Sequence, residues 1–171
     1  ERENGNLSKL YVASLQLHAT LDLDEVVRVV AQILVNLTGA KSYLIATRAP
    51  GDTEARGPFD AVAFEGFEQG TFDEGVHLQG VLERVREAGK VYVAGGGKRV
   101  GTRRVHEPLA CVPLMRRGYF LGFICIYELY RQKTGFSESD RDLFGLLAAH
   151  AANAIYSARQ FGEANRKLTT L

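Results

Sequence analysis

Few side chains in this sequence are of kinds that do chemistry, and where they stand bounds what the protein can do. There are two cysteines, Cys111 and Cys125, and four histidines, His18, His77, His106 and His150. The stretch from Cys111 to Tyr156 offers no nucleophile beside a base and no metal-ligand set, so its chemistry is binding rather than catalysis. His77 and His106 flank a region rich in loops, and a neutral imidazole is a common ligand for haem or a metal. Neither has a spaced partner that would complete a site. His18 and His150 fall on helical patterns and read as packing or surface residues. The run GGGKRVGTRR exposes backbone N–H groups and carries Lys98, Arg99, Arg103 and Arg104, which together could cradle an anion. It is not a Walker A loop, because Arg99 stands where Ser or Thr would hold Mg²⁺. A solvated lid is the plainer reading. The loop interleaves no aromatic residues, which removes support for single-stranded nucleic-acid binding.

The elements that position these residues follow from periodicity. Leu7, Leu10, Tyr11, Leu15 and His18 recur at spacings of three and four, predicting an amphipathic helix over 6–20. Asp22 followed by Glu25 resembles a capping box, and Val26, Val27, Val30, Ile33, Leu34 and Leu37 then form the stripe of a second helix ending at Gly39. Ser42–Arg48 and Phe59–Phe64 read as antiparallel strands across a long polar loop. A glycine-rich acidic stretch over 65–79, a short helix over 80–88 and a brief strand over 91–94 precede the basic loop. Residues 109–115 and 119–129 then form a hairpin around a three-residue turn, Arg116, Arg117 and Gly118. From Glu138 to Leu168 a closing helix would run about 46 Å, with Ser137 and Asp140 capping its start. Its apolar or small stripe is Leu143, Leu147, Ala151, Ala154, Ala158, Phe161 and Leu168.

That hairpin sets the relation between the cysteines. Pairing Met115 with Tyr119 places Cys111 opposite Phe123 and Leu109 opposite Cys125. Leu109, Cys111, Pro113, Phe123, Cys125 and Tyr127 then share one face, and Ala110, Val112, Leu114, Ile124 and Ile126 share the other. Both faces are apolar, so both need cover. Helices suit the aliphatic face, and the more varied face with its thiols and phenol is the candidate pocket wall. Cys111 and Cys125 become diagonal neighbours, with Cβ atoms about 5–8 Å apart. Two buried thiols acting as small hydrophobes is the preferred reading, and a redox pair is the alternative.

Composition closes off other classes. A hydrophobic content of 46% in 171 residues suits one globular domain, and a net charge of +1 gives no general pull toward nucleic acid or an anionic membrane. No run approaches the roughly 18 apolar residues of a membrane span. The N-terminus ERENGNLSKL lacks the pattern of a signal peptide, and two cysteines among apolar residues suit a reducing cytoplasm. The chain begins at Glu1 and its only methionine is Met115, which leads to the expectation of a segment from a longer polypeptide.

Taken in order, LDLDEVVRVVAQILVNLTGA, SYLIATR, GVLERVREAGKVYV, CVPLMRRGYFLGFICI and GFSESDRDLFGLLAAHAANAI resemble the successive parts of a GAF domain, a small-molecule-binding and dimerising module of signalling proteins. The resemblance covers nearly the whole chain. It implies an α+β fold with a central antiparallel sheet of five or six strands. The N- and C-terminal helices (6–38 and 137–171) would lie on one face, with a short helix and loops of the 42–136 region enclosing a pocket on the other. It also implies a cytoplasmic sensory domain, residues 1–171, that binds a small molecule and signals through terminal helices of a homodimer, without a membrane or nucleic-acid partner. Subfamily signatures are missing. There is no NKFDE set for cyclic nucleotides, no thiol ahead of the VPL-like strand for a bilin, and no lid thiols for a methionine-sulfoxide reductase, so no enzyme activity is expected. The expected ligand contacts are Tyr92, Cys111, Phe123, Cys125 and Tyr127, with Arg103 and Arg104 for an anionic group. The cofactor is left open. A ligand-free dimerisation or docking module is the second expectation.

Overall fold

In a computed structural model of the chain, residues 2–48, 59–66, 85, 91–93, 108–130 and 135–169 are described. Helix α1 spans Arg2–His18 and α2 spans Leu23–Thr38. Strands β1 (Ala40–Arg48), β2 (Phe59–Glu65), β3 (Tyr92–Val93), β4 (Ala110–Arg116) and β5 (Tyr119–Leu129) follow, and α3 (Glu138–Thr169) closes the chain. Four strands of seven to eleven residues make an antiparallel sheet in the order β2-β1-β5-β4, and the two-residue β3 pairs with the outer edge of β4. The short helix expected over 80–88, the acidic stretch beyond Gly66 and the basic loop lie outside the described residues, Val85 excepted.

The helices take one face of the sheet, and the reason is the aliphatic set that β1, β4 and β5 turn toward them. Ile45, Ala110, Val112, Leu114, Ile124 and Ile126 join Val26, Val30, Ile33 and Leu34 of α2 and Leu143, Leu147, Ala151 and Ile155 of α3 in one core. Every residue of the α2 stripe read from sequence is buried. Its start differs from the expected capping box. Asp22 accepts the Asp24 backbone N–H at 3.0 Å, while Glu25 turns outward to pair with Arg28. Its end is Gly39 in the left-handed conformation, with the cap N–H bonded to the Val35 carbonyl.

Helix α1 corrects its reading. The residues that meet the core are Leu10, Ala13, Ser14 and Leu17, while Leu7, Tyr11, Val12 and Leu15 are exposed. This helix is apolar on two sides, and the expected stripe mixed both. Helix α3 behaves as expected as far as Ala158, the last of its buried residues; Phe161 is 46% and Leu168 70% exposed. Its start is a reciprocal cap: the Ser137 N–H donates to Asp140 Oδ2 at 2.9 Å and the Asp140 N–H donates to Ser137 Oγ at 3.1 Å.

The hairpin also differs from its expected register. Its turn holds two residues, Arg117 and Gly118, with φ of 48° and 83°, the positive values that a type I′ turn requires. Arg116 pairs with Tyr119, Met115 with Phe120 and Leu114 with Gly122, so Leu121 is the extra residue of a β-bulge. Cys111 therefore stands opposite Cys125, and Pro113 opposite Phe123. A shift of two residues keeps the side chains from Gly122 onward on their expected faces, because the strand period is two, while at the bulge Phe120 joins the Cys111 face and Leu121 the helix side.

Candidate functional site

The second face of the sheet is built from residues that alternate with the helix-facing set. Leu44 and Ala46 of β1, Cys111 of β4, and Phe120, Phe123, Cys125 and Tyr127 of β5 are buried together with Val85, and Phe59 and Met115 pack against them. The bulge at Leu121 puts Phe120 and Phe123, three apart, on this same side. Phe59 meets both edge-on, with ring centroids at 5.6 and 5.2 Å. Register lines four positions into a row across the sheet: Tyr92 beside Cys111, Cys111 beside Cys125, and Cys125 beside Leu44.

Cys111 and Cys125 are joined by a disulfide, with Cα atoms 4.2 Å apart and both residues fully buried. This corrects the reading as two free thiols. The expected diagonal separation came from the three-residue turn, and the two-residue turn with its bulge brings the cysteines into direct opposition. Tyr127 lies on the same face two residues beyond Cys125, and burial raises the pKa of its phenol well above the usual tyrosine range.

One end of this face is fixed by arginines that sequence reasoning passed over. Arg48, buried at the end of β1, donates from Nε to the Phe120 carbonyl at 2.6 Å and lies 6.0 Å from the Phe120 ring centroid. Arg159 of α3 donates from Nη2 to Thr47 Oγ1 at 2.9 Å and to the Arg48 carbonyl. Burial lowers the Arg159 pKa; neighbouring Asp60 opposes that shift. These contacts tie the helix layer to the edge of the second face. A charged residue at the apolar end of a strand was the available signal. Beside them Gly122 lets β5 approach β1, since a Cβ there would lie 2.1 Å from the Ala46 carbonyl oxygen.

Of the expected contacts, the structure brings Cys111, Phe123, Cys125 and Tyr127 together and sets the Tyr92 backbone beside Cys111. Arg103, Arg104, His77 and His106 lie outside the described residues. His18 and His150 meet edge-on across α1 and α3, with centroids 5.9 Å apart. No group of three or more metal-ligating side chains occurs among the described residues. No helix among them is long and apolar enough to cross a membrane. Open grooves of about 560 and 700 Å³ lie on the helix side, one beside α2 and β2 and one between α3 and β4. Their walls carry none of the expected contact residues.

An antiparallel sheet with one helix-covered face and one apolar face defines a class of small α+β domains. Within that class, the family model described as GAF domain matches residues 20–155, and the chain belongs to that family. Solved structures share the fold. A methyl-accepting chemotaxis protein fragment, residues 122 to 287, superposes with a TM-score of 0.63 at 20% identity, covering 87% of this chain and 98% of its own. The GAF domain of a phosphoenolpyruvate-protein phosphotransferase from Coxiella burnetii gives 0.66 at 20% identity, with 95% and 99% covered. The free methionine-R-sulfoxide reductase of Neisseria meningitidis, in complex with its substrate, gives 0.62 at 17% identity, with 94% and 93% covered. A search of curated protein sequences finds no match.

Proposed function

We propose that the chain is a cytoplasmic sensory domain of a larger signal-transduction protein. A small molecule binds against the second face of the sheet, and the terminal helices of a homodimer pass on the change. The observation that carries this reading is the division of the sheet. One face is covered by α2 and α3, with α1 packed on those two helices, while the other presents the row Leu44, Cys125 and Cys111 with Phe123 and Tyr127 beside it. Long loops rich in glycine and charge flank that second face in sequence, and Arg103 and Arg104 among them suit an anionic ligand group. Binding without catalysis fits the residue inventory. Both cysteines of the sequence are in the strands, which leaves no thiol for the loops to supply as a redox catalyst.

The dimer reading rests on α1 and α3. Leu7, Tyr11, Val12 and Leu15 turn away from the core, and Phe161 and Leu168 do the same beyond Ala158. Apolar faces on terminal helices that pack against each other suit a bundle with the same helices of a second copy. A thermal-shift screen of nucleotides and metabolites tests the ligand: a saturable rise in Tm supports binding, and no response across the screen refutes it. Sedimentation tests the partner. A dimer that Tyr11→Glu with Leu15→Glu converts to monomer supports the helix interface, and a wild-type monomer at all concentrations refutes it.

A second reading has its own support. Cys111, Phe123 and Cys125 are each at most 2% exposed, so the second face is already covered by the chain's own residues. On that basis the domain is a ligand-free dimerisation or docking module, and the same screen separates the two.

A further inference from the structure

The stabilisation a disulfide gives is usually ascribed to closing a loop in the unfolded chain, so it does not show whether the folded strands need the bond. The Cys111–Cys125 link spans 14 residues, and in the folded chain other interactions hold the same two strands together. A two-residue turn joins the strands, seven residue pairs align them, Leu44 of β1 flanks Cys125, and Gly122 seats β5 against the Ala46 carbonyl. In the folded state these contacts hold the two strands in place without the covalent bond, whose stabilisation acts on the unfolded chain, so the reduced form can keep the fold. We propose that Cys111–Cys125 is a reversible thiol–disulfide exchange site whose substrate is a dithiol reductant. The proposal draws on the cytoplasmic reading above, because disulfides in that compartment are mostly transient, catalytic or redox-sensing.

The geometry also indicates where exchange begins. Both cysteines are fully buried, so attack requires a local opening. Among the described residues the shortest ladder beside either cysteine is β3, whose two residues pair with Cys111 and Ala110, and a two-residue ladder opens at far lower cost than the long β1–β5 pairing. Cys111 is therefore the sulfur that is reached. A thiolate of the reductant attacks Cys111 Sγ, the S–S bond breaks, and its electron pair leaves on Cys125 Sγ, which takes a proton. The reductant's second thiol then displaces Cys111 from the mixed disulfide. The balance is two electrons and two protons from the dithiol, giving two cysteine thiols and one oxidised reductant. A small-molecule disulfide such as oxidised glutathione reverses it. Reduction moves the sulfurs from bonding distance to van der Waals contact, within the row that runs from Tyr92 to Leu44 and beside Phe123. Redox state would then alter the wall that the proposed ligand meets.

The test uses the chain as purified without reductant. Native protein is treated with dithiothreitol, the reductant is removed, and free thiols are alkylated in denaturant and counted by mass. The expected result is no label before treatment and two labels after it. Far-UV circular dichroism and cooperative unfolding should be retained in both forms, and oxidised glutathione should restore the unlabelled form. The double variant Cys111→Ala/Cys125→Ala should show no response to redox treatment. Reduction that occurs only in denaturant, or a reduced form that is unfolded, overturns the proposal in favour of a structural cross-link. Two labels that persist after native treatment with oxidised glutathione overturn it in favour of independent thiols. The ligand screen does not count thiols, so failure of the binding reading and failure of this one are distinguishable.

Discussion

Replacing Gly122 by alanine tests whether the approach of β5 to β1 holds the second face in place. The added Cβ would lie 2.1 Å from the Ala46 carbonyl oxygen and 2.9 Å from the Thr47 Cα. Ordinary C···O contacts lie near 3.3 Å, so backbone must move by about 1 Å. Both obstructing groups are main chain, and no side chain can rotate away to relieve them. Separating the strands around the Thr47–Gly122 pair would weaken about two or three ladder hydrogen bonds, each worth roughly 1 kcal/mol net. It would also loosen Phe123 and the Arg48 bond to the Phe120 carbonyl. The expected loss is about 3 kcal/mol, or roughly 6–12 °C in Tm for a domain of this size. Urea unfolding monitored by circular dichroism measures it. Gly145→Ala is the control. It sits in α3 where, among the described residues, Val91 Cγ2 alone comes near its added methyl, at 3.8 Å, and it should gain about 0.5–1 kcal/mol from helix propensity. A Gly122→Ala loss below about 1 kcal/mol would refute the claim that this contact sets the strand spacing.

The remaining predictions concern the helices and the phenol. Ser137→Ala removes the side-chain acceptor of the α3 cap and should cost about 1 kcal/mol in chemical unfolding. Ile155→Ala should cost about 2–5 kcal/mol in the same assay. Phe161→Ala, at an exposed site, should leave monomer stability within about 0.5 kcal/mol and act instead on self-association read by sedimentation. Burial raises the Tyr127 pKa in the fold, whereas the unfolded chain ionises near pH 10. Its contribution is thus fully present below that pH and is lost above it by about 1.4 kcal/mol per pH unit. Tyr127→Phe should flatten the alkaline fall in stability between pH 9 and 11. A smaller fall from Tyr43 should remain, since burial and nearby Glu65 raise its pKa too.

What could be read from sequence followed the strength of each local pattern. The α2 stripe was legible because its apolar residues lie on one side of one helix. Helix α1 was misread because Leu7, Tyr11 and Leu15 look like a core stripe, yet the core takes Leu10, Ala13 and Leu17. Spacing alone cannot rank two apolar faces. The two faces of the hairpin were legible through parity, which survives a shift of two residues. The covalent pairing was not, because a bulge at Leu121 and a tight Arg117–Gly118 turn decide who stands opposite whom. Neither feature has a sequence pattern of its own here, since Arg117 is not among the residues that usually favour positive φ. Arg48 and Arg159 were missed for a related reason. Their partners are backbone carbonyls and a threonine brought near only by the tertiary fold.

The length of α3 has a mechanical consequence. Its buried residues end at Ala158, Arg159 is hydrogen-bonded to Thr47 and Arg48, and its helix continues to Thr169, so the last ten residues form an arm of about 15 Å. Treated as a rigid rod pivoting at Arg159, a tilt of about 10° carries the far end through roughly 3 Å. Displacements of that size distinguish alternative packings of helix pairs. The core under the sheet can therefore shift by fractions of an ångström, within what close packing tolerates, and still deliver a step at Thr169 large enough for a neighbouring helix to register.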